Sequence, residues 1–270
     1  MSARDGEKDR FGLSGLVAVI TGGAGLLGAE FGRVMAEQGA TIVLADVKGD
    51  RVETVAKDIA AQSGVQALGL MADVTDPQSV QRLVKTTIAA FGRADILVNS
   101  AVTENAASRF YAPFEEYSLE DWEAVMAVNV RGVFLCCQAF GREMIRRKRG
   151  SVINMASIYG LVGPDPSLYA GTPLSLPGAY SASKGAVISL TRHLATYWAA
   201  HGIRVNCITP GGIQTDQVDR TFIQNYAART PLGRMADKAD LWGAVLFLAS
   251  DASSYVTGHN LVVDGGWTAR

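Results

Sequence analysis

Seven short apolar runs punctuate the chain: "LVAVIT" (16–21), "TIVLAD" (41–46), "ALGLMAD" (67–73), "DILVNS" (95–100), "GSVINMAS" (150–157), "IRVNCIT" (203–209) and "NLVVDG" (260–265). They are near-continuously apolar rather than alternating, as expected of parallel strands covered on both faces. Helical periodicity lies between them, near 26–38, 50–62, 77–91, 119–148, 179–200 and 238–249. This alternation predicts right-handed βαβ units in an α/β fold, a doubly wound parallel sheet of seven strands with helices on both faces. No linker, repeat or low-complexity tract interrupts it. A single domain over 13–270 is expected, preceded by a flexible polar tail over 1–12.

Two stretches break the rhythm. "IYGLVGPDPSLYAGTPLSLPGA" (158–179) is rich in Pro and Gly, and "GGIQTDQVDRTFIQNYAARTPLGRMAD" (211–237) is partly helical at best. Both follow the carboxyl ends of strands, where open α/β sheets bind ligands.

Composition narrows the partners. With 48% apolar residues in 270 and a formal charge of −1, the chain carries no electrostatic footprint for nucleic acid or an anionic membrane. No apolar run approaches the ~20 residues of a membrane span, and the polar start has no signal-peptide core. Cys136, Cys137 and Cys207 have no CxxC or metal-ligand spacing. They read as buried thiols in a reducing cytoplasm, with no metal.

"TGGAGLLGAEFG" (21–32) follows the first strand and opens a helix. Gly22, Gly25 and Gly28 allow a sharp turn and a close approach to a pyrophosphate. The helix start, with Leu27 in its first turn, presents free N–H groups and a positive dipole end. Asp46 ends the next strand roughly 20 residues on, where a carboxylate accepts hydrogen bonds from an adenosine ribose; its plainer role would be a cap or a solvated loop acid. The context is that of a dinucleotide-binding Rossmann fold. A carboxylate at 46 would repel the 2′-phosphate of NADP, and only Lys48 stands close by in sequence to offset it, so NAD is the expected cofactor.

"YSASK" sets Tyr180 and Lys184 four apart on one helical face. Ser157 closes a strand before the long loop, and Asn129 lies in "VMAVNVRG". Singly, these would be an amphipathic surface and a strand-end cap. In this order after a dinucleotide loop, they resemble the short-chain dehydrogenase/reductase family over essentially residues 13–267. The resemblance includes "ADV" (72–74), with Asp73 and Val74, where the family holds the adenine ring. It includes "NSAV" (99–102), with Asn99 and Ala101, beside the cofactor. It also takes in "ITPGGIQT" (208–215), with Pro210, Gly211, Ile213 and Thr215, along the nicotinamide, and the terminal strand "GHNLVVDGG" (258–266).

The resemblance implies roles. Tyr180 would be the general acid/base, Lys184 would lower its proton affinity and hold the ribose, Ser157 would bind the substrate oxygen, and Asn129 would anchor a proton-relay water. An ordinary tyrosine titrates at about 10, so work near neutrality needs such a cationic neighbour. The implied activity is NAD(H)-dependent interconversion of a secondary alcohol and a ketone, on a small hydroxylated substrate. The chain looks similar to gluconate-type and other sugar or polyol dehydrogenases, and to oxidoreductases of flagellin modification and legionaminic-acid synthesis. A reductase of acyl or apolar ketones, and a non-catalytic NAD(H)-sensing regulator, are the alternatives. A homotetramer is expected from the resemblance and from the apolar faces of the helices at 119–148 and 179–200.

Three features depart from the family pattern. Leu26 stands where the compact branch carries its middle glycine, Val102 replaces the glycine of "NNAG", and Ser157 and Tyr180 lie 23 positions apart, more than is usual. The extra residues are expected to wall the substrate pocket, with Tyr159, Asp165, Ser167, Tyr169, Thr172 and Ser175 offering hydrogen bonds; a surface Ω-loop or an oligomer contact is the alternative.

Overall fold

All seven apolar runs become strands: β1 (Val17–Thr21), β2 (Thr41–Asp46), β3 (Ala67–Met71), β4 (Ile96–Asn99), β5 (Gly150–Met155), β6 (Ile203–Pro210) and β7 (Asn260–Val263). They form one parallel sheet in the order β3-β2-β1-β4-β5-β6-β7. The computed structural model describes residues 9–103, 113–172, 176–216 and 218–270. Ser175, expected to offer a hydroxyl to substrate, lies outside the described residues.

The unbroken apolar character of the strands has a direct cause. Val17, Val19, Val43, Leu97, Val152 and Val205 point to one face, into a core shared with Val80, Cys136, Phe140, Val187 and Trp198. Their neighbours Ala18, Ile20, Ile42, Ile96, Val98 and Ile153 point to the other, against Phe31, Met35, Ile59 and Val245. Helices α1 (Leu26–Glu37), α2 (Gly49–Ser63) and α8 (Trp242–Ala249) cover this second face. Helices α3 (Pro77–Phe91), α5 (Val133–Arg147) and α6 (Gly178–Trp198) cover the first, so the inner strands are shielded from water on both faces.

The helical stretch expected over 119–148 is not a uniform α-helix. It runs as α4 (Leu119–Met126), a π-helical turn (Ala127–Gly132) and α5. By length and composition, Leu119–Arg147 is apolar enough to cross a bilayer, which the sequence pattern did not lead one to expect. Its Cys136, Cys137, Phe140 and Met144 are instead buried in the core.

The Arg10 carbonyl accepts the Ala252 N–H at 2.9 Å, and Leu13 N–H reaches the Gln38 carbonyl at 2.8 Å. Arg10, within the tail expected over 1–12, is therefore bonded to the turn after α8. In the second irregular stretch, α7 (Arg220–Arg229) is a full helix, capped by the Asp219 carboxylate on Thr221 and Phe222 N–H.

Candidate active site

Chain order reverses in the sheet between β1 and β4, and the crevice at their carboxyl ends is where a ligand is held in this architecture. The glycine loop fills the β1 side. Gly22 has φ of 68°, and a Cβ there would stand 2.8 Å from Ala101 Cα; at Gly28 it would stand 2.1 Å from the Gly22 carbonyl oxygen. Gly23, not singled out in the sequence, is as constrained, because a Cβ would meet Leu44 Cβ at 2.7 Å. Gly25 is the N-cap of α1, and no side chain caps that helix or places an acid in its first turn. By contrast α3 and α7 are capped by Asp76 and Asp219. The open amides and dipole of α1 fit a pyrophosphate. Leu26 is exposed at the helix start, while Leu27 packs on the core.

Asp46 is tied to this loop. One carboxylate oxygen accepts the Ala24 N–H at 3.0 Å and the other the Lys48 N–H at 3.1 Å. Asp73 accepts from the Thr75 N–H and hydroxyl, both at 2.8 Å, and buried Val74 packs against Gly132 of the π-helical turn. On β4, the Thr21 hydroxyl accepts the Ser100 and Ala101 N–H groups at 3.2 and 3.3 Å, which holds Ala101 against Gly22. Val102 is exposed and does not occupy the left-handed region, so this turn does not demand glycine. Asn99 directs its side chain into the interior, where its amide donates to Asn154 at 2.8 Å and to the Cys137 sulfur at 3.3 Å.

The four candidate catalytic residues come from three elements. Ser157 follows β5, is buried, and accepts the Tyr159 N–H at 3.3 Å. Tyr180 is half-buried in the first turn of α6, and the Lys184 ammonium lies 5.4 Å from its ring centroid. Lys184 is only 4% exposed and donates to the Met155 carbonyl at 2.8 Å. Burial pushes its pKa down to about 8. Asn129, buried in the π-helical turn, donates to the Ser183 hydroxyl at 3.1 Å, which donates to the Tyr180 carbonyl at 2.7 Å; its own oxygen accepts the Thr103 N–H at 3.2 Å. The π turn thus lets one amide brace both the β4 loop and the turn of α6 that carries Tyr180.

The segment after Ser157 is a folded wall in which the polar groups expected to meet substrate also bond to one another and to α7. Tyr159 and Tyr169 hydroxyls bond each other at 2.9 Å, and Thr172 donates to the Tyr169 carbonyl. Asp165 accepts from Ser167 and pairs with Arg229 of α7; the Ser167 hydroxyl bond, foremost, holds its carboxyl below the usual range. Asn225 reaches the Leu168 and Ala170 carbonyls, and Tyr169 packs on Phe222. The outward side chains of the first part are Leu161 and Val162.

Pro210, Gly211, Ile213 and Thr215 lie at the end of β6 and just beyond. Met155 pairs with Ile208 in the sheet, which sets Ser157 level with Pro210. Gly211 N–H reaches the Val263 carbonyl, and Ile213 bridges to Ala236. Sequence reasoning missed Tyr226 of α7, whose hydroxyl accepts the Gly212 N–H at 2.6 Å, and Trp267, stacked on it at 4.5 Å.

Comparison with known proteins agrees with this geometry. A family model described as enoyl-(acyl carrier protein) reductase matches residues 24–268. The chain is 36% identical over 264 residues to D-threitol dehydrogenase of Mycolicibacterium smegmatis, covering 96% of this chain and 95% of that protein. It is 37% identical over 272 residues to gluconate 5-dehydrogenase of Gluconobacter oxydans, covering 96% and 97%. The crystal structure of a gluconate 5-dehydrogenase from Burkholderia cenocepacia, in complex with NADP and tartrate, superposes with a TM-score of 0.88 at 35% identity, covering 97% of this chain and 98% of that one.

Proposed function

The chain belongs to the short-chain dehydrogenase/reductase family, and from that membership we propose that it interconverts a secondary alcohol and a ketone on a polyol- or sugar-like substrate, with a nicotinamide cofactor. The observation that carries the reading is the meeting of Ser157, Tyr180, Lys184 and Asn129 at the carboxyl ends of β4 and β5, beside an uncapped helix start. Tyr180 gives or takes the proton at the substrate oxygen. Lys184, an ammonium at neutral pH beneath the phenol, favours the phenolate. Ser157 hydrogen-bonds the same substrate oxygen, and Asn129 holds the backbone on both sides of the relay. A bound nicotinamide supplies the hydride chemistry. Gly22, Gly25, Leu27 and Gly28 would receive the pyrophosphate, Asp73 and Val74 the adenine, and the 210–215 run the nicotinamide. Near Asn99 and Ala101 the contacts would come from backbone.

NAD is our reading over NADP, because the Asp46 carboxylate faces the glycine loop where a 2′-phosphate would add like charge. A homotetramer is proposed from exposed Leu119, Phe134 and Tyr197 on α4, α5 and α6, and light scattering checks it. Three free, buried cysteines suit a reducing cytoplasm. A second reading, a reductase of more apolar ketones, draws on the outward Leu161 and Val162. One experiment separates the two: initial rates with neutral polyols, sugar acids and cyclic ketones under saturating cofactor. Polyols should give the highest kcat/KM, and a clear preference for cyclic ketones would favour the second reading.

A further inference from the structure

Two glycines follow β6, and neither has a positive φ. They are required for space. A Cβ at Gly211 would stand 2.9 Å from the Tyr226 hydroxyl and 3.0 Å from Asp264 Cα; at Gly212 it would stand 2.9 Å from Tyr226 Cε2 and from Met235 Cε. The phenol of Tyr226 is what occupies that space. It is among the largest fully buried side chains, set in a separate apolar cluster with Ile158, Leu168, Tyr169 and Met235. A buried hydroxyl there is costly unless it bonds, and the Gly212 N–H supplies a bond at 2.6 Å. Desolvation raises its pKa to about 12, so it remains a neutral phenol at working pH.

The ring is held from both sides. Trp267 stacks on it at 4.5 Å and 20°, and Phe222 lies at 6.0 Å. Trp267 is in turn placed by the Asp264 carboxylate, which accepts from Gly266 N–H, Thr268 N–H and the Thr268 hydroxyl. Beside the glycines lies a cavity of about 130 Å³, bordered by Leu232, Asp240 and Asp264. Without the phenol, the run after β6 would have room to shift. That run stands level with Ser157 across the β5–β6 register.

We propose that Tyr226 is a positioning residue for the nicotinamide end of the cofactor site: its hydroxyl, by accepting the Gly212 N–H, fixes the 210–215 run at the height of Ser157. The proposal rests on the nicotinamide reading above. It explains why a tyrosine 14 residues beyond the loop, on a helix that closes the substrate wall, is bonded to loop backbone.

The test compares two ligands, NADH and ADP-ribose, which lacks the nicotinamide, titrated against wild type, Tyr226→Phe and Trp267→Ala. Tyr226→Phe keeps the ring and its stack but loses the acceptor. NADH should bind about fivefold more weakly, the order expected for one backbone hydrogen bond, while ADP-ribose affinity stays unchanged. Trp267→Ala keeps the hydroxyl but loosens the ring, and should show the same selective loss. Equal weakening of both ligands in these variants would reduce Tyr226 to a packing role and overturn the proposal, as would unchanged NADH affinity in Tyr226→Phe. If wild type bound neither ligand, the nicotinamide reading itself would fall, an outcome distinct from wild type binding both and the variants matching it.

Discussion

Replacing Lys184 by Met should stabilise the cofactor-free protein while abolishing turnover. The Lys184 ammonium is 4% exposed, and desolvation lowers its pKa from 10.5 to about 8. At about 1.4 kcal/mol per tenfold change in proton affinity, holding that charge inside costs about 3 kcal/mol. Methionine has similar length and no charge, but it leaves the Met155 carbonyl without its 2.8 Å partner, a loss of about 1 kcal/mol. The net gain at pH 7 is about 2 kcal/mol. With about 2 cal/mol/K of unfolding entropy per residue over this chain, Tm should rise by about 4 °C.

The pH dependence has a definite sign. Below about pH 8 the lysine is protonated in folded and unfolded chains alike, so wild type bears the full cost. Between about 8 and 10.5 the folded protein releases the proton while the unfolded chain keeps it, and wild type gains stability. The difference between variant and wild type should therefore shrink over that window. The assay is thermal unfolding of both proteins without cofactor, at equal concentration, from pH 6 to 10.5. A variant less stable than wild type at pH 7, or a gap that does not change with pH, would mean that the buried lysine charge is not the source of the cost.

Asp46→Ala should raise the kcat/KM ratio for NADP over NAD by about tenfold, since it removes a like charge from the 2′-phosphate position; an unchanged ratio would assign the preference to another residue. Excising residues 161–172 from the substrate wall should reduce kcat/KM for the best polyol far more than it reduces NADH affinity. Full retention of substrate selectivity would demote the segment to packing. Asp165→Ala, which leaves Arg229 unpaired at the seam between this wall and α7, should move kcat/KM in the same direction by less, read by the same steady-state assay.

The sheet was legible because every strand but the two at its edges, β3 and β7, is buried enough on both faces to demand apolar residues at nearly every position. Ala18 and Val19 serve opposite layers, yet both must be apolar. The four candidate catalytic residues could be proposed from the sequence because each follows a strand end or lies in a helical segment beside one. The π-helical turn around Asn129 could not, since its six residues do not disturb the apolar periodicity of the helices on either side. Gly23 escaped notice because its constraint comes from Leu44 on the next strand. Arg10 reads as a charged tail residue, but its backbone carbonyl, which composition does not report, binds Ala252. Tyr226 looks like one more apolar position on a short amphipathic helix. Its contacts with Gly212 and Trp267 arise only where α7 meets the ends of β6 and β7. The polar loop after Ser157 was expected to face substrate; that Tyr159, Asp165, Tyr169 and Thr172 also bond within the wall or to α7 is a tertiary fact that composition does not report.

In the proposed reaction Tyr180 exchanges the proton of a hydroxylated substrate beside a bound nicotinamide. Single-turnover reduction of NAD by the best polyol, followed by nicotinamide absorbance in wild type and Tyr180→Phe with NADH affinity measured in parallel, tests it most directly. Tyr180→Phe should keep its NADH affinity and lose about 10³-fold in rate. A variant that binds NADH normally and turns over at near the wild-type rate would contradict it.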